Sequence, residues 1–255
     1  PIWQRFSNQL ILRLDKKTSG ENILSALNPF SRNINDTILV SANSNLRNTL
    51  FYNRSDPGFG ADYTWQVNKN KALLVNGFDS RQLADHQINM RCSISHSIQS
   101  NLLIEQENRT NSSDFFTERN YKIISQYVEP KIIIQTNTRF RMTGSYRYGN
   151  RNNKEGMKEQ LLENRISLET RYNSTNSGTF SARFNFIQMK YNGATNSFIA
   201  YELLSGLQPG TNFTWNISLI KNLNNLMQLN LNYEGRKSEK SKMIHTGGVQ
   251  FRAFF

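Results

Sequence analysis

The most regular feature of the chain is an alternation of apolar and polar residues that recurs from one end to the other. Counting back by twos from Phe255 gives Ala253, Phe251 and Val249, and most positions between them are polar or small. A period of two places successive side chains on opposite faces of a β-strand. The same alternation is found in residues 61–67, 88–95, 140–148, 165–172, 180–186, 212–219 and 228–234. The pattern predicts an all-β chain whose strands have one apolar face.

Short turns and longer polar loops separate these strands. The pattern predicts about fourteen antiparallel up-and-down strands with about six short and seven long connections, of which residues 15–36 form the longest. An even number of strands puts both termini on the same side of the sheet. A turn is expected at residues 68–71, and residues 37–42 and 46–53 have mixed faces. Bulges are expected at Pro130, which cannot donate to a ladder, and near Ile187, where the alternation slips.

Two segments do not fit the strand pattern. Residues 156–163 have apolar positions near helical spacing, and residues 199–207 are apolar without clean alternation. The first segment is open to a helical interpretation, and either one is open to a structure other than strand.

The composition favours a barrel that spans a membrane. Mean hydropathy is −0.62 and 37% of residues are hydrophobic, yet the chain has 16 Phe and 10 Tyr, more aromatics than a disordered chain would have. No stretch approaches the roughly 20 apolar residues of a membrane-spanning helix. In a transmembrane antiparallel up-and-down β-barrel, half of each strand is polar because it lines a wet interior. We predict one such domain over residues 1–255, with both termini periplasmic.

A soluble β-sandwich or lipocalin-like barrel is the alternative, because both also show period two. Three features favour the membrane barrel: a long basic polar face, a chain that ends on an aromatic strand, and aromatics near strand ends. Such rings form girdles where the bilayer meets water. The expected girdle residues are Tyr52, Tyr63, Tyr148, Tyr172, Tyr191, Tyr233 and Phe255.

The last strand resembles the C-terminal assembly signal of bacterial outer-membrane proteins, in which alternating hydrophobic residues end on an aromatic. Val249, Phe251 and Phe255 fit this signal, whereas Ala253 is smaller than usual. The resemblance implies recognition by the barrel-assembly machinery during biogenesis.

More of the chain resembles the C-terminal barrel of large, poorly characterised outer-membrane proteins of Bacteroidota. The segments that carry the resemblance are 28–30, 35–37, 46–54, 204–210 and 233–237. It implies an integral outer-membrane location in a Gram-negative cell and a larger parent protein with a further N-terminal region. A leader removed during export is expected as well.

Candidate chemistry is sparse. His86, His96 and His245 lack metal-ligand spacing with another His or Cys, and His86 and His245 are expected as solvated side chains at strand or loop ends. Cys92 alternates with Ile88 and Met90, which indicates a small apolar residue. No phosphate-binding loop or Gly-x-Ser-x-Gly elbow is present. We predict no enzyme activity, no metal and no cofactor.

The strongest functional candidate is a set of arginines on the predicted interior face. A ladder of cations in a wet pore favours anions. The alternative is that these arginines pair with Glu163, Glu169 and interior amides and fill the lumen. The predicted basic patch comprises Arg139, Arg141, Arg147, Arg165, Arg171 and Arg183.

The sequence therefore predicts a membrane anchor or a subunit of a larger outer-membrane assembly or secretion complex. An anion-preferring transport pore is the alternative, and an outer-membrane hydrolase is a third. The predicted partners are outer-membrane lipid, the assembly machinery and other outer-membrane or surface subunits. Nucleic acid is not expected, because the positive residues behind the net charge of +12 are scattered rather than clustered.

Overall fold

A computed structural model describes residues 5–19, 39–174, 178–224, 226–239 and 241–253. Its twelve strands form one antiparallel sheet in which every strand pairs with the next strand along the chain. The strands are β1 (Phe6–Thr18), β2 (Leu39–Tyr52), β3 (Phe59–Leu74), β4 (Gly77–Ser93), β5 (Ile98–Ser113), β6 (Tyr121–Ile134), β7 (Phe140–Asn153), β8 (Gln160–Ser174), β9 (Gly178–Tyr191), β10 (Gly210–Asn224), β11 (Met227–Ser238) and β12 (Ile244–Ala253). A 3-10 turn (Thr117–Arg119) precedes β6, and a short helix, α1 (Phe198–Leu204), lies between β9 and β10.

The sheet is not closed, because β1 pairs only with β2 and β12 only with β11 among the described residues. The expected closed cylinder is therefore absent, although the all-β antiparallel up-and-down architecture is confirmed. One end of the sheet, here called the turn end, is where β2 is followed by β3, β4 by β5, β6 by β7, β8 by β9 and β10 by β11. At the other end, the loop end, β1 is followed by β2, β3 by β4, β5 by β6, β7 by β8, β9 by β10 and β11 by β12. The first residue of β1 and the last of β12 both lie at the turn end, as an even strand number requires.

The two faces of the sheet differ sharply in chemistry. Directly opposed residues share a face, and the register places Ile217 beside Ala182 and Tyr233 on one face, whereas Asn216 lies beside Arg183 and Glu234 on the other. We call these the apolar face and the polar face. The cavity shared by β1 to β5 and Glu202 of α1 lies on the polar face, so the sheet curves around that face.

The strand count is twelve in the described residues rather than about fourteen. The expected turn at residues 68–71 is wrong, because β3 continues through it and its Lys69 and Lys71 stay in register with β4. The mixed-face segments at residues 39–42 and 46–52 belong to one strand, because β2 runs unbroken from Leu39 to Tyr52. A backbone ladder persists where side chains turn polar, so a hydrophobic pattern alone overcounts strands.

The bulge expected at Pro130 is absent. The ladder between β6 and β7 omits residues 129 and 130 and resumes in the same register, with Val128 opposite Tyr148 and Lys131 opposite Ser145. No residue is inserted, so the proline interrupts pairing toward β7 without shifting it.

The break in the apolar–polar alternation near Ile187 is not caused by the expected bulge. The register of β9 with β8 and β10 is constant, and Ile187 and Met189 lie on the polar face, each 2% exposed. They belong to a small core at the loop end, where α1 packs on the polar face. The members of this core are Tyr121, Ile123, Leu161, Ile187, Met189, Ala200, Leu203 and Leu204.

The segment that resisted a strand interpretation at residues 199–207 thus contains a helix. Ser197 caps it by accepting a hydrogen bond from the Ala200 amide at 3.0 Å, and Ser205 ends it in a left-handed conformation with φ 52°. Residues 156–163, by contrast, contain no helix, because residues 156–159 belong to the connection between β7 and β8 and residues 160–163 begin β8.

Candidate functional site

The apolar face carries a continuous band of hydrophobic side chains. In β3 the band runs from Phe59 to Val67, and Lys69 and Lys71 follow on the same face. At about 3.3 Å per residue, this stretch is about 26 Å long, which at a strand tilt of about 35–40° spans roughly 20 Å of the roughly 25 Å apolar height of outer-membrane barrels. Aromatic rings are frequent at both limits of the band: Phe6, Tyr52, Phe59, Phe140, Tyr172, Phe180 and Phe251 toward the turn end, and Tyr63, Trp65, Tyr148, Phe186, Phe213, Trp215 and Tyr233 toward the loop end. Many of these side chains are exposed, although they are large and apolar.

One expected girdle residue lies elsewhere. Tyr191 is on the polar face at the end of β9 and packs against the small core. Phe255 lies outside the described residues.

Two similar clusters lie between the middle of the band and its loop-end limit. The hydroxyl of Tyr63 lies 2.7 Å from Nδ1 of His86, with Trp65 stacked near the imidazole. On the same face but near the opposite edge of the sheet, the Tyr233 hydroxyl lies 2.7 Å from Nδ1 of His245, next to Trp215. Both histidines are exposed, and each also has a tyrosine hydroxyl as a hydrogen-bond partner. His86 also lies in the middle of β4 rather than at a strand end.

The structure places five of the six predicted arginines on the polar face of three adjacent strands. Arg141 is directly opposite Arg171, and Arg147 is directly opposite Arg165. Arg183 is opposite Glu169. Arg139 differs, because it precedes β7 in the connection of residues 135–139.

Carboxylates neutralise part of this basic patch. Glu129 forms ion pairs with Arg147 and, at 3.2 Å, with Lys131. Glu163 is completely buried and contacts Arg165 at 2.8 Å and Arg151 at 3.3 Å.

A positive excess nevertheless remains on this face. Glu169 pairs with Arg183 at 2.7 Å, whereas Arg141 has no carboxylate partner among the described residues. On the polar faces of β6 to β9, seven cations (Lys131, Arg141, Arg147, Arg151, Arg165, Arg171 and Arg183) accompany three carboxylates (Glu129, Glu163 and Glu169). A cavity of about 260 Å³ lies among these groups, lined by Arg147, Arg165 and Arg183.

An acidic strip, not predicted from the sequence, lies on the neighbouring strands of the same face. Asp85 of β4 is directly opposite Glu107 of β5, and Glu105 lies two residues from Glu107. The signal for it was present, because Asp85 is out of phase with the apolar Ile88 and Met90. The polar face therefore carries separated negative and positive regions.

Helix α1 covers the polar face at the loop end. Arg151 of β7 donates hydrogen bonds to the Leu203 carbonyl at 2.8 Å and to the Ser205 hydroxyl at 2.9 Å. Glu202 contacts Arg109 of β5 at 3.6 Å. These contacts fix the connection between β9 and β10 over the strands that precede it.

The assembly-signal residues are only partly described. Val249 and Phe251 lie on the apolar face of the edge strand β12 and are 74% and 56% exposed.

No protein-family model matches the chain, and no curated protein matches its sequence. The resemblance to Bacteroidota outer-membrane proteins therefore stays a prediction, and the function is argued from geometry. Over the described ranges, no helix is both long enough and apolar enough to cross a membrane. Within those same ranges, no three His, Cys, Asp or Glu side chains form a group suited to a metal ion.

Proposed function

We propose that this chain is an integral β-barrel of a Gram-negative outer membrane that anchors a larger protein or assembly. The apolar band is the observation that carries the proposal. Large side chains such as Phe184 (49% exposed) and Ile166 (55% exposed) lie on the convex face, where water would make them unfavourable and acyl chains would not.

We further propose that β1 and β12 close the sheet. Directly opposed residues trace a line from Phe6, at the turn end of β1, to Lys237, near the loop end of β11. The line passes through Tyr52, Ala61, Met90, Leu102 and Pro130, crosses the unpaired position of the β6–β7 ladder in constant register to Tyr146, and continues through Ile166, Phe186 and Phe213. It climbs about ten residues over ten steps, so a full circuit would climb about twelve. Twelve strands about 4.8 Å apart with a tilt of about 35–40° need a stagger of roughly 12–14 residues to close.

This stagger predicts which residues of the two edge strands become neighbours. With a stagger of twelve residues, Ile11 of β1 lies opposite Gln250 of β12, and both side chains are on the polar face. We expect Ile11→Cys/Gln250→Cys to form a disulfide within one chain, in a Cys92→Ser background that removes the free thiol of the described residues. Non-reducing electrophoresis of the protein in lipid vesicles measures the cross-link.

The registers two residues away serve as controls for this experiment. Ile11→Cys paired with Gly248→Cys or Arg252→Cys should cross-link less, because the side chains lie farther apart. Disulfides found only between chains would show that the free edges pair with a second copy, and closure within one chain would be wrong.

The anchor function is the primary proposal because the polar face is crowded by ion pairs and by α1. The partners that this function requires are other outer-membrane or surface subunits, together with the surrounding lipid. The assembly machinery would insert the barrel during biogenesis.

An anion-preferring pore is the second candidate, and the excess positive charge of the basic patch favours it. Its strands border a cavity of about 260 Å³ on the face that would line the lumen. Cations around a narrow wet path raise the local concentration of anions.

Planar-bilayer recordings and native purification separate the two candidates. If the chain is an anchor, the pure folded protein should give no measurable current, and the tagged chain from native membranes should retain a partner in fixed stoichiometry. If it is a pore, current should prefer chloride, and neutralising Arg141 and Arg147 together should reduce that preference about twofold or more. Current without anion preference would contradict the role of the basic patch, and the absence of both current and partner would contradict both functions.

A further inference from the structure

A second polar site lies at the loop end, away from the basic patch. A cavity of about 760 Å³ opens there on the polar faces of β1 to β5, beneath Glu202 of α1. The register arranges its wall in two rows of directly opposed residues. One row is Asp15, Asn43, Asn70 and Arg81, and the adjacent row is Arg13, Asn45, Asn68 and Leu83.

Most side chains of the first row have free hydrogen-bonding groups. In the second row, the polar side chains form hydrogen bonds or ion pairs with other side chains. Asn45 donates to Asn68, and Arg13 pairs with Asp15 at 2.8 Å. Asn43, Asn70 and Arg81 are exposed and make no hydrogen bond or ion pair with another described side chain. Each amide offers donors and an acceptor, and Arg81 offers only donors and a positive charge.

We propose that this cavity binds a saccharide that carries one negative charge. Opposed side chains on neighbouring strands are about 5 Å apart, close to the spacing between hydroxyl groups across a sugar ring. Hydroxyl groups both donate and accept, which matches amides better than a purely anionic ligand would.

The charge of the cavity wall and the volume of the cavity restrict the choice of ligand further. Asp15 is paired with Arg13, and Glu202 with Arg109. Among the described residues this leaves two cations of the lining without an ion pair, Arg81 and Lys69, and of these only Arg81 has its register position on the polar face. The cavity volume falls within the roughly 300–1,000 Å³ typical of small-ligand sites. An oligosaccharide of two or three residues with one carboxylate fits these constraints.

Isothermal titration of the purified full chain with 3′-sialyllactose and with lactose tests the proposal. The first sugar carries one carboxylate and the second is neutral. We expect 3′-sialyllactose to bind with a Kd of about 1 mM or tighter and lactose to bind at least about fivefold more weakly. Arg81→Gln should remove most of that difference, and Asn43→Ala/Asn70→Ala should weaken binding of both sugars about tenfold.

A matched control separates loss of the site from loss of the fold. Asn232→Ala changes an exposed amide of β11 on the same face, outside this cavity, and should leave both affinities unchanged. Absence of saturable binding for both sugars at about 10 mM would overturn the proposal. Equal affinity for the two sugars, or affinity that the paired asparagine substitutions leave unchanged, would overturn it too.

Discussion

Replacing Ile217 with arginine is expected to destabilise the protein in a lipid bilayer by about 2–4 kcal/mol. Ile217 lies in the middle of the apolar band, beside Ala182 and Tyr233, and faces away from the concave side. An arginine at the bilayer midplane loses its hydration, and a lipid-facing position offers no compensating carboxylate. Urea unfolding in phosphatidylcholine vesicles, followed by the fluorescence of the chain's three tryptophans, measures the loss.

Asn216, the residue before Ile217, provides the control. Asn216 faces the polar side between Glu234 and Arg183, so Asn216→Arg gains one ion-pair partner and one like-charged neighbour and stays in contact with water. We expect a change of less than about 1 kcal/mol. If the two substitutions cost the same, lipid does not contact the apolar face, and the membrane barrel is the wrong interpretation of the fold.

Replacing Glu163 with glutamine is expected to cost about 3–5 kcal/mol of unfolding free energy. Its carboxylate is fully buried between Arg165 and Arg151, whose side chains are 26% and 12% exposed. Removing the negative charge leaves two poorly solvated guanidinium groups beside each other, which costs more than the ion pairs themselves contribute. The same denaturation experiment measures the effect.

Two further variants sharpen this result. Glu169→Gln removes a carboxylate whose side chain is 42% exposed from its pair with Arg183, and should cost at most about 1 kcal/mol. Combining Glu163→Gln with Arg165→Gln should recover part of the loss, because one unpaired charge disappears. Small and equal losses for Glu163→Gln and Glu169→Gln would mean that water solvates the loop-end network.

Much of the sheet could be predicted from the sequence, because the position of each side chain in the alternation decides the face on which it lies. The segments around Phe184, Ile217 and Leu231 alternate so regularly that their strands and their apolar faces follow from period two alone. The number of strands does not follow in the same way. Lys69 and Lys71 continue β3 beyond the band, where hydrogen bonding between backbones needs no apolar side chain.

The loop end could not be predicted by the same reasoning. Ile187 and Met189 are apolar although they lie on the polar face of β9, because α1 packs over that face at the loop end. This packing joins residues that are far apart in the chain. The row from Asp15 to Arg81 depends on the register of four strands, which a single sequence does not reveal. The acidic strip could have been predicted. Extending the alternation of β4 toward residue 79 puts Asp85 on the face opposite to that of Ile88 and Met90.

The pairing of each strand with its chain neighbour bears on how such a protein folds and evolves. Every hairpin brings together segments close in sequence, so loop-closure entropy stays small and the sheet can grow by adding one hairpin at a time. Loss or duplication of a hairpin changes the width of the sheet by two strands and leaves every other pairing intact. In the proposed barrel, the diameter of the lumen is thus an evolvable quantity, adjustable in steps without reordering the rest of the chain.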